Sequence, residues 1–402
     1  MKRLMLGVSA LLIAAMPLLA EETMNPIITA MPSLTIAPDA RSGGMGDVGV
    51  ATAPDLNSQH WNPAKYAFME SHGGLTANYT PWLRKLVSDI DLAYLAGYYK
   101  WDDVQGISAS FTYFSLGDVQ LTDLNGTFLQ DAHPNEWALD AAYSRKLHEY
   151  VSMAVALRFM FSDLNNGANS STSGSAAELY PGWTMAADIA VYYRQPIVLP
   201  MGISYVAAGI DISNLGGKIS YDKKATQSFI PANLRIGVSY ELPINQYNGF
   251  TFAFDLNRLM VPTRKSKFAE DNNGNRVSVD DPNYQSQTRD WYNGLGSMRG
   301  LFQSFADAPG GSKEEFREMQ FGLGLEYNYD HKFFARMGYS HENKWKGNRR
   351  YMTFGAGFHL SIFSLDASYT LATAATNPLD QTMRFTLGFD LAGIKDLVNN
   401  RR

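Results

Sequence analysis

The chain has no cysteine among its 402 residues. That excludes a disulfide framework, a thiolate metal site and a lipid anchor on an N-terminal cysteine. It has no basic tract, and its formal net charge is −5, so it lacks the electrostatic footprint of a nucleic-acid binder. Its 7 histidines are scattered and never fall at metal-ligand spacing. No nucleophile-elbow sequence is present. Long apolar runs are missing too, with one exception at 4–20. That run follows Lys2 and Arg3, ends in Leu18-Leu19-Ala20 and precedes Glu21-Glu22. It reads as a secretory signal peptide over 1–20, cut near Ala20, and it is short for a membrane-spanning helix. Elsewhere 45% hydrophobic residues coexist with a mean hydropathy of −0.21. Apolar side chains are therefore dispersed, which does not fit a bundle of transmembrane helices.

What the chain has instead is alternation. Met319, Phe321, Leu323, Leu325 and Tyr327 are interleaved with Gln320, Gly322, Gly324, Glu326 and Asn328. A β-strand sends successive side chains to opposite faces, so such a segment has one apolar and one polar face. About 14 segments of this kind follow one another from residue 73, and they predict an antiparallel β-barrel with lipid outside and a polar lumen. In the second segment Ile90, Leu92, Tyr94, Ala96 and Tyr98 are assigned to lipid, and Asp89, Asp91 and Ala93 to the lumen. Connections alternate between short and long, the pattern of periplasmic turns and extracellular loops. An even strand count then returns both termini to the periplasm. The aromatic content of 13% suits interfacial girdles. The predicted organisation is a signal peptide (1–20), a hatch or plug (21–72), an outer-membrane barrel (73–391) and a periplasmic tail (392–402).

The hatch is rich in Gly, Pro, Ala and Asn and does not alternate cleanly. Gly44-Met45-Gly46-Asp47-Val48-Gly49 formally matches a dinucleotide fingerprint, but no strand–turn–helix unit surrounds it. Its glycines are better read as tight turns in a crowded lumen. Inward charges of both signs (Asp140, Arg158, Asp188, Arg194, Arg235, Asp255, Glu326, Arg384) predict ion pairs that hold the hatch, or a charge-selective path. The longest loop, 261–316, is of a length usually tied to function. In it Trp291, Leu295, Met298, Phe302 and Phe305 recur at helical spacing and predict one apolar face, with Tyr292 beside it. This face is either a lid on the rim or a partner-binding surface. Ser312-Lys313-Glu314-Glu315 reads as a capping box. His359 and Ser361 face inward near a turn, and an enzymatic role for them is a minor alternative.

The hatch also carries a resemblance. Arg41, Gly44 and Gly46 within Ala40-Arg41-Ser42-Gly43-Gly44-Met45-Gly46, then Ala51, Asp55 and Trp61-Asn62-Pro63-Ala64, resemble the FadL-like outer-membrane barrels. That resemblance implies fourteen strands and an N-terminal hatch with an Asn-Pro-Ala signature. The stretches Ser33-Leu34-Thr35-Ile36-Ala37-Pro38-Asp39 and Ser58-Gln59-His60, with Thr80-Pro81-Trp82-Leu83, make it more similar to the PorV (LptO) family of the type IX secretion system of Bacteroidetes. A departure from the hydrophobic-ligand transporters is Lys65, where these usually carry Gly.

The PorV resemblance implies a carrier and no cofactor. Such a carrier takes secreted cargo by its C-terminal signal domain as it leaves a Sov- or SprA-like translocon barrel. It hands the cargo to a PorU-like sortase and its attachment complex, which can join it to lipopolysaccharide. The alternatives are a transporter of hydrophobic small molecules and a factor needed for lipid A deacylation.

Overall fold

The computed structural model describes residues 24–391 except 86, 88, 123, 124, 126, 167–179, 223–225, 264–268, 271–275, 278–290 and 374–378. The signal peptide and the C-terminal tail expected from the sequence lie outside the described residues, as does much of the polar half of the longest loop. No described helix is long and apolar enough to cross a membrane.

Fourteen strands form one closed antiparallel barrel. They are β1 (Gly73–Pro81), β2 (Ile90–Lys100), β3 (Gln105–Leu116), β4 (Asn135–His148), β5 (Val151–Asp163), β6 (Gly182–Leu199) and β7 (Gly202–Gly216). Then follow β8 (Asn233–Pro243), β9 (Asn248–Leu259), β10 (Gln320–Tyr329), β11 (Phe333–His341), β12 (Arg350–His359), β13 (Phe363–Ala372) and β14 (Met383–Asp390). Each pairs with its chain neighbours, and β1 pairs with β14 from Gly74↔Asp390 to Tyr79↔Phe385 to close the wall. Closure leaves no strand edge unpaired, the condition for crossing hydrocarbon with strands.

Alternation sets the faces. On β14, Met383, Phe385, Leu387 and Phe389 are exposed, and Arg384 and Thr386 are buried. The same division holds on β4, where Leu139 and Tyr143 point out and Ala138, Asp140 and Ser144 point in. β2 is the exception to the sequence reading. Leu92, Tyr94, Ala96 and Tyr98 are buried in the lumen, whereas Leu95 and Tyr99 face out and Asp91 lies on their side of the strand. Both faces of β2 are apolar, so alternation alone allows either assignment. The hatch decides it: the Tyr66 ring stacks on Tyr98 with centroids 4.9 Å apart, and His60 meets Tyr94 edge-on at 6.2 Å. Asp91 on the outer face ends up at the rim, where Arg84 and the Tyr79 hydroxyl pair with it.

The connections 101–104, 149–150, 200–201, 244–247, 330–332 and 360–362 lie at one end of the barrel, and the described residues of the longer connections after β3, β5, β7, β9 and β11 at the other. The described residues start at the long-loop end. Asn25 donates its backbone N–H to the carbonyl of Trp345 at 2.8 Å, and Ala30 donates to Phe229 at 2.8 Å. The chain then descends through the lumen and reaches β1 at the short-turn end, where Lys100 donates to the carbonyl of His72 at 2.7 Å. Strand β14 also ends there, with Asp390 bonded to Ile362. The first described residues therefore stand opposite the end of the barrel, and not beside it as an even strand count suggests.

Candidate functional site

The hatch folds locally through its small and capping residues. Helix α1 (Ala40–Gly43) is capped by Asp39, whose carboxylate accepts the Ser42 N–H at 2.8 Å. The same carboxylate accepts the Trp61 indole N–H at 2.7 Å, which ties α1 to α2 (Ser58–Trp61). Burial, reinforced by the Asp55 charge, pushes the Asp39 carboxyl up. Asn62 caps a 3-10 turn at Pro63–Phe68 by accepting the Ala64 N–H. Its amide donates to the carbonyls of Val50 at 3.1 Å and Val191 of β6 at 3.0 Å. Pro63 opens that turn at a position whose N–H would be orphaned anyway. Ala64 packs without exposure among Ala154, Ala190, Tyr192 and Ala207. The Asn-Pro-Ala sequence is thus a joint between hatch and wall.

Glycines set how near the hatch comes to the wall. Gly46 has φ +76°, and a Cβ there would lie 2.7 Å from the Tyr339 N and 2.8 Å from the Leu323 carbonyl. A Cβ on Gly44 would lie 3.0 Å from the Gly355 Cα. This backbone lies directly on β10, β11 and β12, as no larger residue would allow.

Charges complete the seal. Arg41 donates to Asp55 at 2.9 Å, to the Ala53 carbonyl at 3.1 Å and to Glu326 of β10 at 3.0 and 3.2 Å. Glu326 also takes Arg336, which reaches Asp366 at 2.6 Å. A second set joins Arg158 to Asp140 and to Asp188 at 2.9 Å. Arg235 lies 3.5 Å from Asp211 and donates to the His60 carbonyl at 2.7 Å, its guanidinium 5.3 Å from the Trp61 ring centroid. Lys65 is fully buried and donates to the Gly49 carbonyl at 2.9 Å and to Thr52 at 3.1 Å, 4.0 Å from Asp55. Burial pulls its ammonium below the usual lysine range against the opposing charge of Asp55. Burial raises the Asp55 carboxyl, but Lys65 and Arg41 outweigh it and hold it below the usual range. The inward charges pair largely with one another along the wall, and Glu326, Asp255, Arg235 and Arg384 also bond to the hatch.

Beneath the hatch, a cavity of about 620 Å³ lies at the short-turn end, lined in part by Arg41, Asp55, Glu241, His359 and Ser361. His359 is held by Asp366 at 3.1 Å and packs on Phe334, ring centroids 4.4 Å apart and planes tilted by 41°. Among the described residues no hydrogen bond joins it to Ser361. No group of three or more His, Asp or Glu side chains placed to hold a metal occurs there either.

At the opposite end, the long loop does not present the single apolar face expected of it. Tyr292 and Leu295 are buried in a cluster with Phe229 and Val261, against which Trp291 and Ile27 pack. Lys218 fixes that turn by donating to the carbonyls of Tyr292 at 2.9 Å and Asn293 at 3.2 Å. The helical period breaks at Gly296, the extended cap of α3 (Ser297–Gln303), so the residues before and after it point in different directions. From α3, Leu301 turns down onto Ala232 and Met260. Met298 and Phe302, with Phe305 just beyond, are exposed at 58%, 75% and 41%. Phe316, on α4 (Ser312–Arg317), is exposed at 73%, and the sequence reading missed it because its neighbours are charged.

The expected capping box does not form. Gly311, with φ 65°, is the cap of α4, and no side chain caps it. Glu314 and Glu315 reach back past the cap to accept the N–H groups of Gly310 and Ala308, both at 2.7 Å, and pair with Lys346 at 2.5 Å and with Arg258. Lys346 also reaches Glu318 at 2.9 Å, and Arg258 donates to the Ser304 carbonyl at 2.8 Å. A charged platform thereby carries exposed aromatics.

Among solved structures, the chain is similar to the Ralstonia pickettii toluene transporter TbuX (TM-score 0.51, 13% identity, covering 88% of this chain and 97% of that one). It is also similar to the P. putida toluene transporter TodX (TM-score 0.50, 10% identity, 89% and 98% covered) and to a Pseudomonas aeruginosa FadL homologue (TM-score 0.40, 11% identity, 92% and 100% covered). At these identities the likeness is one of fold. No curated protein matches the chain. The family described as type IX secretion system protein PorV matches residues 19–266, the span of the hatch and the strands from β1 to β9. With more than half of its length matched, and a closed barrel of fourteen strands, the chain belongs to the PorV family, the outer-membrane components of the type IX secretion system.

Proposed function

We propose that this protein is a carrier working at its outer rim. It takes secreted cargo by the C-terminal signal domain after translocation and delivers it to the surface sortase and attachment complex. The observation that carries this reading is the exposed set of Met298, Phe302, Phe305 and Phe316 at the long-loop end. Their place in long connections puts them outside the membrane, where large exposed apolar side chains mark protein contact. Aromatic side chains on a fixed base also make efficient anchors, because little freedom is lost when they are covered. Trp291, Tyr292 and Leu295 lie in the neighbouring Phe229–Val261 cluster and not in the exposed set.

The hatch across the lumen favours this reading over small-molecule transport. A hydrophobic solute would have to pass the buried Arg41–Glu326–Arg336 and Arg158–Asp140–Asp188 groups, and separating them costs several kcal/mol per ion. The test is capture of a purified cargo signal domain by the full-length protein and by a Phe302→Ser/Phe316→Ser variant, with heat-modifiable migration as the assay of barrel assembly. Loss of capture with an assembled barrel is expected. Unchanged capture would remove the rim assignment.

A further inference from the structure

The start of the described chain lies in a groove at the rim. Residues 24–31 run extended across the long-loop end, and their exposure alternates. Met24, Pro26 and Ile28 face out, and Asn25, Ile27 and Thr29 are half-covered. Two backbone N–H groups bond to loop carbonyls, Asn25 to Trp345 and Ala30 to Phe229, both at 2.8 Å. The Asn25 amide donates to Glu314 at 3.1 Å. Ile27 packs on the Phe229–Val261–Tyr292–Leu295 cluster. Main-chain bonds from an extended segment, with alternate side chains in pockets, are how folded domains bind peptides by strand addition. Phe229, itself paired with Lys218 in a small hairpin, supplies the matching backbone.

The segment is also marked off from the hatch. Met31 sits at φ 48°, a left-handed conformation rare for a residue with a long side chain. The chain turns there, and beyond it Ser33 donates to Glu136 of β4 at 2.5 Å deep among buried groups. Ala30 is already buried with Met31, Leu34 and the wall residues Ala138 and Met160, whereas Asn25 and Ile27 bond and pack to the loops of the rim. The polypeptide therefore changes at Ala30-Met31 from a strap at the rim to a fixed plug.

We propose that this groove is a binding site for an extended polypeptide segment, that residues 24–31 occupy it as an internal ligand, and that an arriving polypeptide takes their place. The occupant chemistry is a backbone in extended conformation, with an aliphatic side chain for the Phe229–Tyr292 pocket and an amide or other donor for Glu314. The inference rests on the rim reading above in placing the competing polypeptide there. The existence of the groove as a peptide site does not depend on it.

The absence of cysteine makes a clean test possible. Asn25→Cys with Trp345→Cys is expected to form a disulfide on mild oxidation and lock the strap in place. Capture of a purified cargo signal domain should then fall at least tenfold in the oxidised protein and return on reduction. Comparing one protein in two redox states separates locking from misfolding. Equal capture in both states, or failure to cross-link, would overturn the strap. A second measurement needs no cargo. A fluorescent peptide with the sequence of residues 24–31 should bind a variant lacking 24–30 saturably, at least tenfold more tightly than it binds the full chain, and Tyr292→Ala should weaken it. Equal binding to both proteins would sink the groove, and the Phe302/Phe316 experiment would still judge the rim reading separately.

Discussion

The hatch and the outer rim handle polar and apolar groups in opposite ways. In the hatch the charged groups are buried and joined in closed sets, as Arg41 is to Asp55 and Glu326. At the rim the charged groups form a base, Arg258 with Glu315 and Lys346 with Glu318, and large apolar side chains stand free above it. A buried, paired charge contributes shape and fixes position, whereas an exposed aromatic is available to bind. The contrast accords with the proposed division, structure in the lumen and recognition at the loops.

The strongest way to break that division is at Arg41. Arg41→Met leaves Glu326 with Arg336 alone and Asp55 with Lys65 alone, at 4.0 Å, and cuts the link between hatch and β10. It should cost about 3 kcal/mol of barrel stability, read as a shift in the urea unfolding midpoint of the protein in lipid vesicles. If stability is unchanged, the network is not what holds the hatch. Next comes Lys65→Met. It removes the donor to Gly49 and Thr52 and should cost about 1–3 kcal/mol by the same measurement. The effect is smaller than for Arg41 because burial already disfavours this ammonium.

Changes at the rim should do the reverse. Phe302→Ser and Phe316→Ser each remove an exposed aromatic and should leave the unfolding midpoint within about 0.5 kcal/mol of the parent. Each should weaken capture of the cargo signal domain by about tenfold, a loss typical of an interface anchor. A mutant that lost stability as well would show that the aromatics pack on the barrel and are not a free surface.

Sequence patterns carried much of this, and their failures have physical causes. Period-two alternation located the strands, because lipid tolerates only one kind of outer face. It misassigned β2, where Tyr94 and Tyr98 line a lumen made apolar by the hatch, so neither face was polar enough to mark the inside. The Asn62-Pro63-Ala64 sequence pointed to the hatch, but its role as a joint depends on the Val191 carbonyl of a strand far along the chain. The helical spacing from Trp291 to Phe305 was real on each side of Gly296, yet one extended residue reset its phase. The path of residues 24–31 was not readable at all, because two backbone bonds to loop carbonyls leave no trace in side-chain pattern.

The smallest effect bears on how firmly the rim platform is set. Asp307, between α3 and α4, has its carboxyl pushed up to about 7, first by burial and further by the charges of Glu315 and Glu318. The folded loop therefore holds a proton that the unfolded loop releases near pH 4. Between those values the folded form binds more protons, so its stability is highest at low pH and falls as pH rises toward 7. Hydrogen exchange in 297–317 should accordingly be slower at pH 5 than at pH 8, after correction for intrinsic exchange rates. Asp307→Asn cannot ionise and should make protection nearly independent of pH over that range. The hatch amides near Asn62 serve as the internal reference, since their protection is set by buried bonds on the far side of the molecule. If hatch and loop lost protection together on raising the pH, the two regions would not be the separate structures that their chemistry describes.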